Sequence, residues 1–175
     1  MGREIGITPQ TARRWLKILE GVFQWLALPA FSGNPTKRVS SRPKGYLADT
    51  GLACHYAQLS SPQALTGHPL FGHLFETAMV GEILKQSGAL PTRPVFHQWR
   101  SAGGAEVDLL LERDGILHPF EITLTAAPTR RMASGIEAFR QAHPHLRLAK
   151  GALLCAVEQP RWVSDGVLAM PWNLV

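Results

Sequence analysis

The chain has 175 residues, of which 45% are hydrophobic and 18% charged, a composition that excludes a disordered chain and suits a globular protein with a substantial core. No apolar run approaches the roughly 18 residues that span a bilayer, and the N-terminus lacks the apolar segment of a signal peptide. The two distant cysteines and seven scattered histidines show no metal-binding spacing. We therefore expect a cytoplasmic protein with reduced thiols and no membrane partner.

The formal net charge of +5 is confined to the first 50 residues. That segment holds eight basic and three acidic residues, whereas residues 51–175 hold ten of each. A basic segment joined to a neutral one indicates that the first part contacts a polyanion.

The first predicted element is a short helix with Thr8 as N-cap and Pro9 at its first position, ending at Glu20–Gly21. Apolar residues at helical spacing give it one stripe: Ala12, Trp15, Leu16 and Leu19. Three elements follow: a strand over 22–28, a basic loop over 35–44 and a short strand from Tyr46.

This order of elements resembles the second half of a winged helix-turn-helix. The helix and the loop would then offer basic side chains to DNA phosphates: Arg13, Arg14, Lys17, Lys37 and Arg38. The alternative is a small docking module that packs on a neighbouring domain and keeps these charges in water.

We place this first module at residues 1–58 and a second domain at 67–175, separated by a Ser/Pro/Gln-rich transition. The second domain is predicted to contain these elements in order: a helix over 68–87, a strand over 94–100, a β-hairpin within 105–125, a helix over 127–142, and strands over 151–157 and around 167–170. Because the second helix crosses over between strands, the pairing that follows it should be parallel and right-handed.

The hairpin is the best-defined part of the prediction. Its first strand alternates Val107, Leu109 and Leu111, on one face, with Glu106, Asp108 and Glu112. Asp114–Gly115 suits a two-residue type I′ turn, in which both residues need positive φ. With this turn, Arg113 pairs with Ile116, and Asp108 lies opposite Glu121.

Two carboxylates opposed across a strand pair lie roughly 5 Å apart at Cβ and repel each other. A divalent cation such as Mg²⁺ would remove the repulsion, because it prefers carboxylate oxygens. The alternative is a solvated face on which both acids point into water. Without metal, Asp108 and Glu121 should titrate as a coupled pair that holds one proton above its ordinary range.

The order of elements, with Asp on the second strand and Glu on the third, resembles the PD-(D/E)xK nuclease superfamily. Four short motifs narrow the resemblance to the nuclease-like C-terminal domain of prokaryotic AAA-type ATPases of unknown function: Leu74–Glu76, Trp99–Arg100, Glu106–Asp108 and Phe120–Ile122. The resemblance implies an α/β fold, with a restriction-endonuclease-like αβββαβ core preceded by a partial winged helix-turn-helix. It also implies that Asp108 and Glu121 hold Mg²⁺ and that Glu76 completes the site.

The resemblance breaks at two places. The chain contains no phosphate-binding Gly-x-x-x-x-Gly-Lys-Ser/Thr loop, so we expect no ATP site in it and an ATPase domain supplied by the full-length protein or another chain. Position 123, where the family pattern has lysine, is Thr123, which carries no positive charge. Four cations are candidates to replace this lysine: Lys85, Arg100, Arg130 and Arg131. Of these, Arg100 is the predicted phosphate clamp.

Three functions remain open at this stage. The first in order is a nucleic-acid-binding, nuclease-like domain with a degenerate metal site. The second is an active Mg²⁺-dependent DNA nuclease, in which a metal-bound water attacks the phosphodiester. The third is an assembly or regulatory domain of the ATPase that contacts no nucleic acid.

Overall fold

The computed structural model describes residues 6–32 and 42–175. The chain elements in order are α1 (Pro9–Gly21), β1 (Trp25–Leu28), β2 (Lys44–Leu47), α2 (Thr50–Tyr56), α3 (Pro62–Thr66), α4 (Phe71–Ser87), β3 (Val95–Arg100), β4 (Glu106–Arg113), β5 (Ile116–Ile122), a 3₁₀ turn (Arg130–Ala133), α5 (Ser134–Ala142), β6 (Gly151–Cys155), β7 (Arg161–Ser164), β8 (Val167–Pro171) and a second 3₁₀ turn (Trp172–Leu174). The protein is therefore of mixed α/β class, as predicted.

Six strands form one mixed sheet in the order β3-β4-β5-β6-β8-β7. The β5–β6 pairing across α5 is parallel, which confirms the predicted crossover. One face of the sheet carries a core built around Ile136 and Phe139 of α5. The other carries a core built around Met79, Val80 and Ile83 of α4. The sheet is thus covered by helices on both faces.

The hairpin between β4 and β5 has the predicted turn and register. Asp114 and Gly115 have φ of 52° and 71°, and Arg113 pairs with Ile116. The ladder continues to the pair Leu109–Phe120, where the recorded pairing ends.

The prediction that Val107, Leu109 and Leu111 share one face is wrong. The β3–β4 register shifts so that Gln98 stands opposite two residues, Asp108 and Leu109. An extra residue in one strand re-aims the side chains around it. Val107 accordingly packs in the α5 core and Leu109 in the α4 core.

The N-terminal elements are joined to the sheet. β1 and β2 form an antiparallel hairpin, in which a side chain at Gly45 would overlap the Trp25 indole. Tyr46 belongs to the α4 core and Phe31 to the α5 core. Residues 29–31 also run beside β3, where the Phe31 N–H donates to the Gln98 carbonyl at 2.6 Å. This packing fixes β2 over the α4 side of the sheet.

Helix α1 has the predicted bounds and cap, since the Thr8 hydroxyl accepts from the Thr11 N–H at 3.1 Å. Its apolar stripe is not covered as expected: Trp15 is 58% exposed. Helix α2, capped by Asp49, lies within the predicted first module, and α3 lies in the transition between the two modules. Met132, in the 3₁₀ turn before α5, is exposed. Within the described ranges, no helix is long and apolar enough to span a bilayer.

Candidate carboxylate–lysine site

Asp108 lies at the point where the hairpin ladder ends and is held there by the backbone of β5. It is 7% exposed, and its Oδ2 accepts the Ile122 N–H at 3.0 Å. A carboxylate thus takes the place of a backbone acceptor in the ladder, and the rest of the Asp108 side chain turns toward the α4 side. The bulge opposite Gln98 places it there.

Glu121 lies beside Asp108 and is partly buried. Burial raises the pKa of Glu121 to about 10, and the charge of Asp108, a hydrogen bond with it and the charge of Glu106 act in the same direction, against the opposing effect of Lys44. The hairpin register predicts a raised pKa for one member of this pair, but burial of Glu121 is the larger cause of the shift and the charge of Asp108 the second. Glu121 is therefore neutral at physiological pH when no metal is bound.

The site includes a cation that sequence reasoning missed. Lys44, the first residue of β2, places its Nζ 2.6 Å from Glu76 Oε1 and 2.9 Å from Asp108 Oδ1. Tyr46, two residues further along the same strand, donates its hydroxyl to Glu76 Oε1 at 2.7 Å. The β1–β2 hairpin, the helix α4 and the strand β4 therefore meet at one ammonium group.

Electrostatics keep this ammonium charged. Burial alone lowers the pKa of Lys44, but the charges of Asp108 and Glu76 and the hydrogen bonds to both raise it above its ordinary value. Burial also raises the pKa of Tyr46, helped by the charge of Glu76. With Glu121 neutral, one ammonium group faces two carboxylates, and Tyr46 is a fixed hydrogen-bond donor.

The cations predicted to replace the missing lysine lie elsewhere. Arg100, the predicted phosphate clamp, has a side chain that is 68% exposed and lies 3.8 Å from Glu106. Lys85 lies 3.9 Å from Glu82 and Arg130 lies 3.6 Å from Glu137. Arg131 is exposed. Among the described residues, only Lys44 forms an ion pair with Asp108 or Glu76.

Local sequence patterns do not identify Lys44 as a site residue, because it belongs to the first module and precedes Asp108 by 64 positions. The signal that could have found it is the short segment Lys44-Gly45-Tyr46 at the end of the basic loop. Alternation along a strand places the lysine and the tyrosine of this segment on the same face.

The arrangement in the structure suits an ammonium ion better than a divalent metal. In the described part of the chain, no three His, Cys, Asp or Glu side chains are placed to hold a metal ion. The oxygens of Glu76 and Asp108 that would face a metal are taken by Lys44, and Glu121 carries a proton. Mg²⁺ on Asp108 and Glu121 would require this proton to leave.

The residues predicted to contact DNA lie apart from this cluster. Arg13, Arg14 and Lys17 are all exposed on α1. Lys37 and Arg38 lie outside the described residues. The same end of the molecule exposes apolar side chains, including Phe23, which is 82% exposed and has a φ of 57°. Helix α1 therefore combines free cations with an apolar surface.

Fold and site together define an α/β domain that gathers three acidic side chains and one lysine at one end of a mixed sheet. Residues 71–175 match a domain of unknown function, DUF4143, and the chain belongs to that family. Residues 1–63 match a second domain of unknown function, DUF8612. The carboxylates at 76, 108 and 121 thus lie within one matched segment, and Lys44 lies within the other.

Two curated relatives are uncharacterized mycobacterial proteins. Rv2008c of Mycobacterium tuberculosis and Mb2031c of Mycobacterium bovis are each 32% identical over 171 residues, which cover 98% of this chain. The chain spans 37% of the length of these relatives. No solved structure matches it.

Proposed function

We propose that this chain is a nucleic-acid-binding, nuclease-like domain that acts beside an AAA-type ATPase domain, with a PD-(D/E)xK-like site that is degenerate for hydrolysis. Domains of its family often occur in AAA-type ATPases. The chain spans only part of its relatives, which leaves room for such a domain in the longer proteins.

One observation carries the proposal: Glu76, Asp108 and Glu121 meet where β4 and β5 separate, and a lysine joins them. Like charges are seldom gathered in a sheet interior without a functional reason. The helix–three strands–helix–strand order around them is the order expected for a restriction-endonuclease-like core, which supports the proposal.

Degeneracy is favoured over active hydrolysis by the state of the carboxylates. A nuclease of this type needs ionised carboxylates that are free to hold metal. Here one of the three is neutral and the other two share an ammonium. Nucleic-acid contact is favoured by the exposed cations of α1 and by the excess charge of the first 50 residues.

The test is fluorescence anisotropy of labelled duplex and single-stranded DNA over a series of salt concentrations. Replacing Arg13, Arg14 and Lys17 together by alanine should weaken binding and reduce the slope of log affinity against log salt by about two to three, since each phosphate contact contributes about 0.9. Cleavage should be followed in the same buffer with Mg²⁺ and with Mn²⁺, where we expect little or none.

A matched control removes three exposed arginines from the segment that matches DUF4143: Arg93, Arg131 and Arg147. It makes the same change in net charge and should leave the salt slope near that of the wild type. Equal slopes for the two triple variants and the wild type would contradict the proposed interface on α1. Rapid cleavage would show that the site is active and would contradict its proposed degeneracy.

The exposed apolar surface formed by α1 and the two residues after it favours assembly as a second candidate. Trp15, Ile18, Val22 and Phe23 are all exposed, and such a surface on a monomer marks a contact with another protein segment. In this reading α1 packs against the ATPase part of the longer protein. Absence of salt-dependent DNA binding would favour it.

A further inference from the structure

The Lys44 ammonium lies where a divalent cation would have to sit. Its Nζ is within hydrogen-bond distance of one oxygen from each of Glu76 and Asp108. A hard divalent cation bridging the same two oxygens would bind each at roughly 2.0 to 2.6 Å. Both cations would then compete for one position, and repulsion between them in a partly buried site prevents joint occupancy.

The backbone that carries Lys44 is fixed, whereas its side chain can leave. β2 is paired with β1 over its whole length, and Tyr46, which is 4% exposed, is hydrogen-bonded to Glu76. The Lys44 side chain itself is 32% exposed. A flexible four-carbon chain with one open side can rotate into solvent without moving the hairpin.

We propose that Lys44 is a built-in competitor of divalent metal at the carboxylate site, so that a metal ion binds Glu76 and Asp108 only after this side chain has withdrawn. The DUF8612-matching segment would thereby regulate a site whose acids belong to the DUF4143 segment. This inference rests on the proposed nuclease-like site, but not on DNA binding by α1.

The experiment is a Mn²⁺ titration of the full chain, followed by calorimetry and by the electron paramagnetic resonance signal of free Mn²⁺. Wild type should bind weakly, with saturation only above millimolar ion. Lys44→Met, which keeps the length of the side chain and removes its charge, should bind at least about tenfold more tightly. Adding Asp108→Asn to that variant should abolish the gain.

Two controls separate competition from a general charge effect. Lys85→Met removes an equal charge from an exposed position on α4 and should behave like wild type. Lys44→Arg keeps the positive charge at the site and should also exclude the metal. Equal Mn²⁺ affinity in Lys44→Met and wild type, or no binding to either at millimolar ion, would overturn the proposal.

A second readout uses the wild-type chain, so the proposal stays testable if Lys44→Met does not fold. Reductive methylation, quantified by mass spectrometry, reports how accessible each lysine amine is. High Mn²⁺ should speed methylation of Lys44 relative to Lys85, because a bound metal displaces the amine into solvent. Unchanged relative rates, whether or not Mn²⁺ binds, would overturn the competition. DNA affinity, measured separately, tests the proposed function and not this step.

Discussion

Replacing Glu121 by glutamine should stabilise the metal-free protein at neutral and alkaline pH. Burial and the neighbouring Asp108 raise the pKa of Glu121 from 4.5 to about 10. Between these values the folded protein holds a proton that the unfolded chain releases, so the wild-type free energy of unfolding falls as pH rises. Glutamine resembles the neutral acid, keeps a hydrogen-bond donor for Asp108 and cannot ionise.

The magnitude follows from the two pKa values. The stabilising contribution of the Glu121 proton is fully present below pH 4.5. Above this pH the free energy of unfolding falls by up to about 1.4 kcal/mol for each pH unit, until the pKa of the folded protein is reached. At pH 7 the accumulated loss is at most about 3.5 kcal/mol. Local relaxation and water entry reduce this limit, and we expect a gain of about 1 to 3 kcal/mol for Glu121→Gln at about pH 7.

The assay is urea denaturation in EDTA at several pH values between about 5 and 9, with Glu158→Gln, which alters a solvent-exposed acid, as the control. The difference between Glu121→Gln and wild type should grow with pH, whereas Glu158→Gln should track wild type. A constant difference across this range, or a Glu121→Gln variant less stable than wild type at every pH, would refute the burial of a neutral Glu121.

Three further variants test the surroundings of the site by urea denaturation. Tyr46→Phe should cost about 1 kcal/mol, because it removes the hydrogen bond to Glu76 and preserves the packing of the ring; no loss would mean that this bond is not formed. Gly135→Ala should cost about 3 kcal/mol or more, since its Cβ would overlap the carbonyl of Glu106 and the carboxyl of Glu121; a normal stability would contradict the close approach of α5. Arg100→Ala should stay within about 0.5 kcal/mol of the wild-type free energy of unfolding and leave Mn²⁺ binding unchanged, because this side chain is exposed. A change in Mn²⁺ affinity would show that Arg100 belongs to the site.

Local signals were sufficient for much of the second domain. Asp114–Gly115 specified the turn of the hairpin, and the turn in turn fixed which residues pair across it. The long crossover helix required a parallel partner for β5. These features depend on residues close together in sequence, so composition and periodicity reveal them.

Features that depend on distant residues were not accessible in this way. Lys44 reaches Asp108 only because β2 packs over the α4 core, and nothing in the local pattern of either residue encodes that packing. The bulge opposite Gln98 could not be predicted from periodicity either. The alternation of apolar and polar residues along β4 gives no sign that this strand contains an extra residue. Helix α1 was correctly delimited, yet the exposure of Trp15 depends on what packs against the helix.

The most direct test of this account is a double-mutant cycle between Lys44 and Asp108, with Lys44→Met and Asp108→Asn made singly and together. If the N-terminal hairpin and the sheet share one site, the two effects on the free energy of unfolding should be coupled by about 1 to 2 kcal/mol. Additivity within about 0.3 to 0.5 kcal/mol would show that the ammonium and the carboxylate do not interact, and would contradict a composite site.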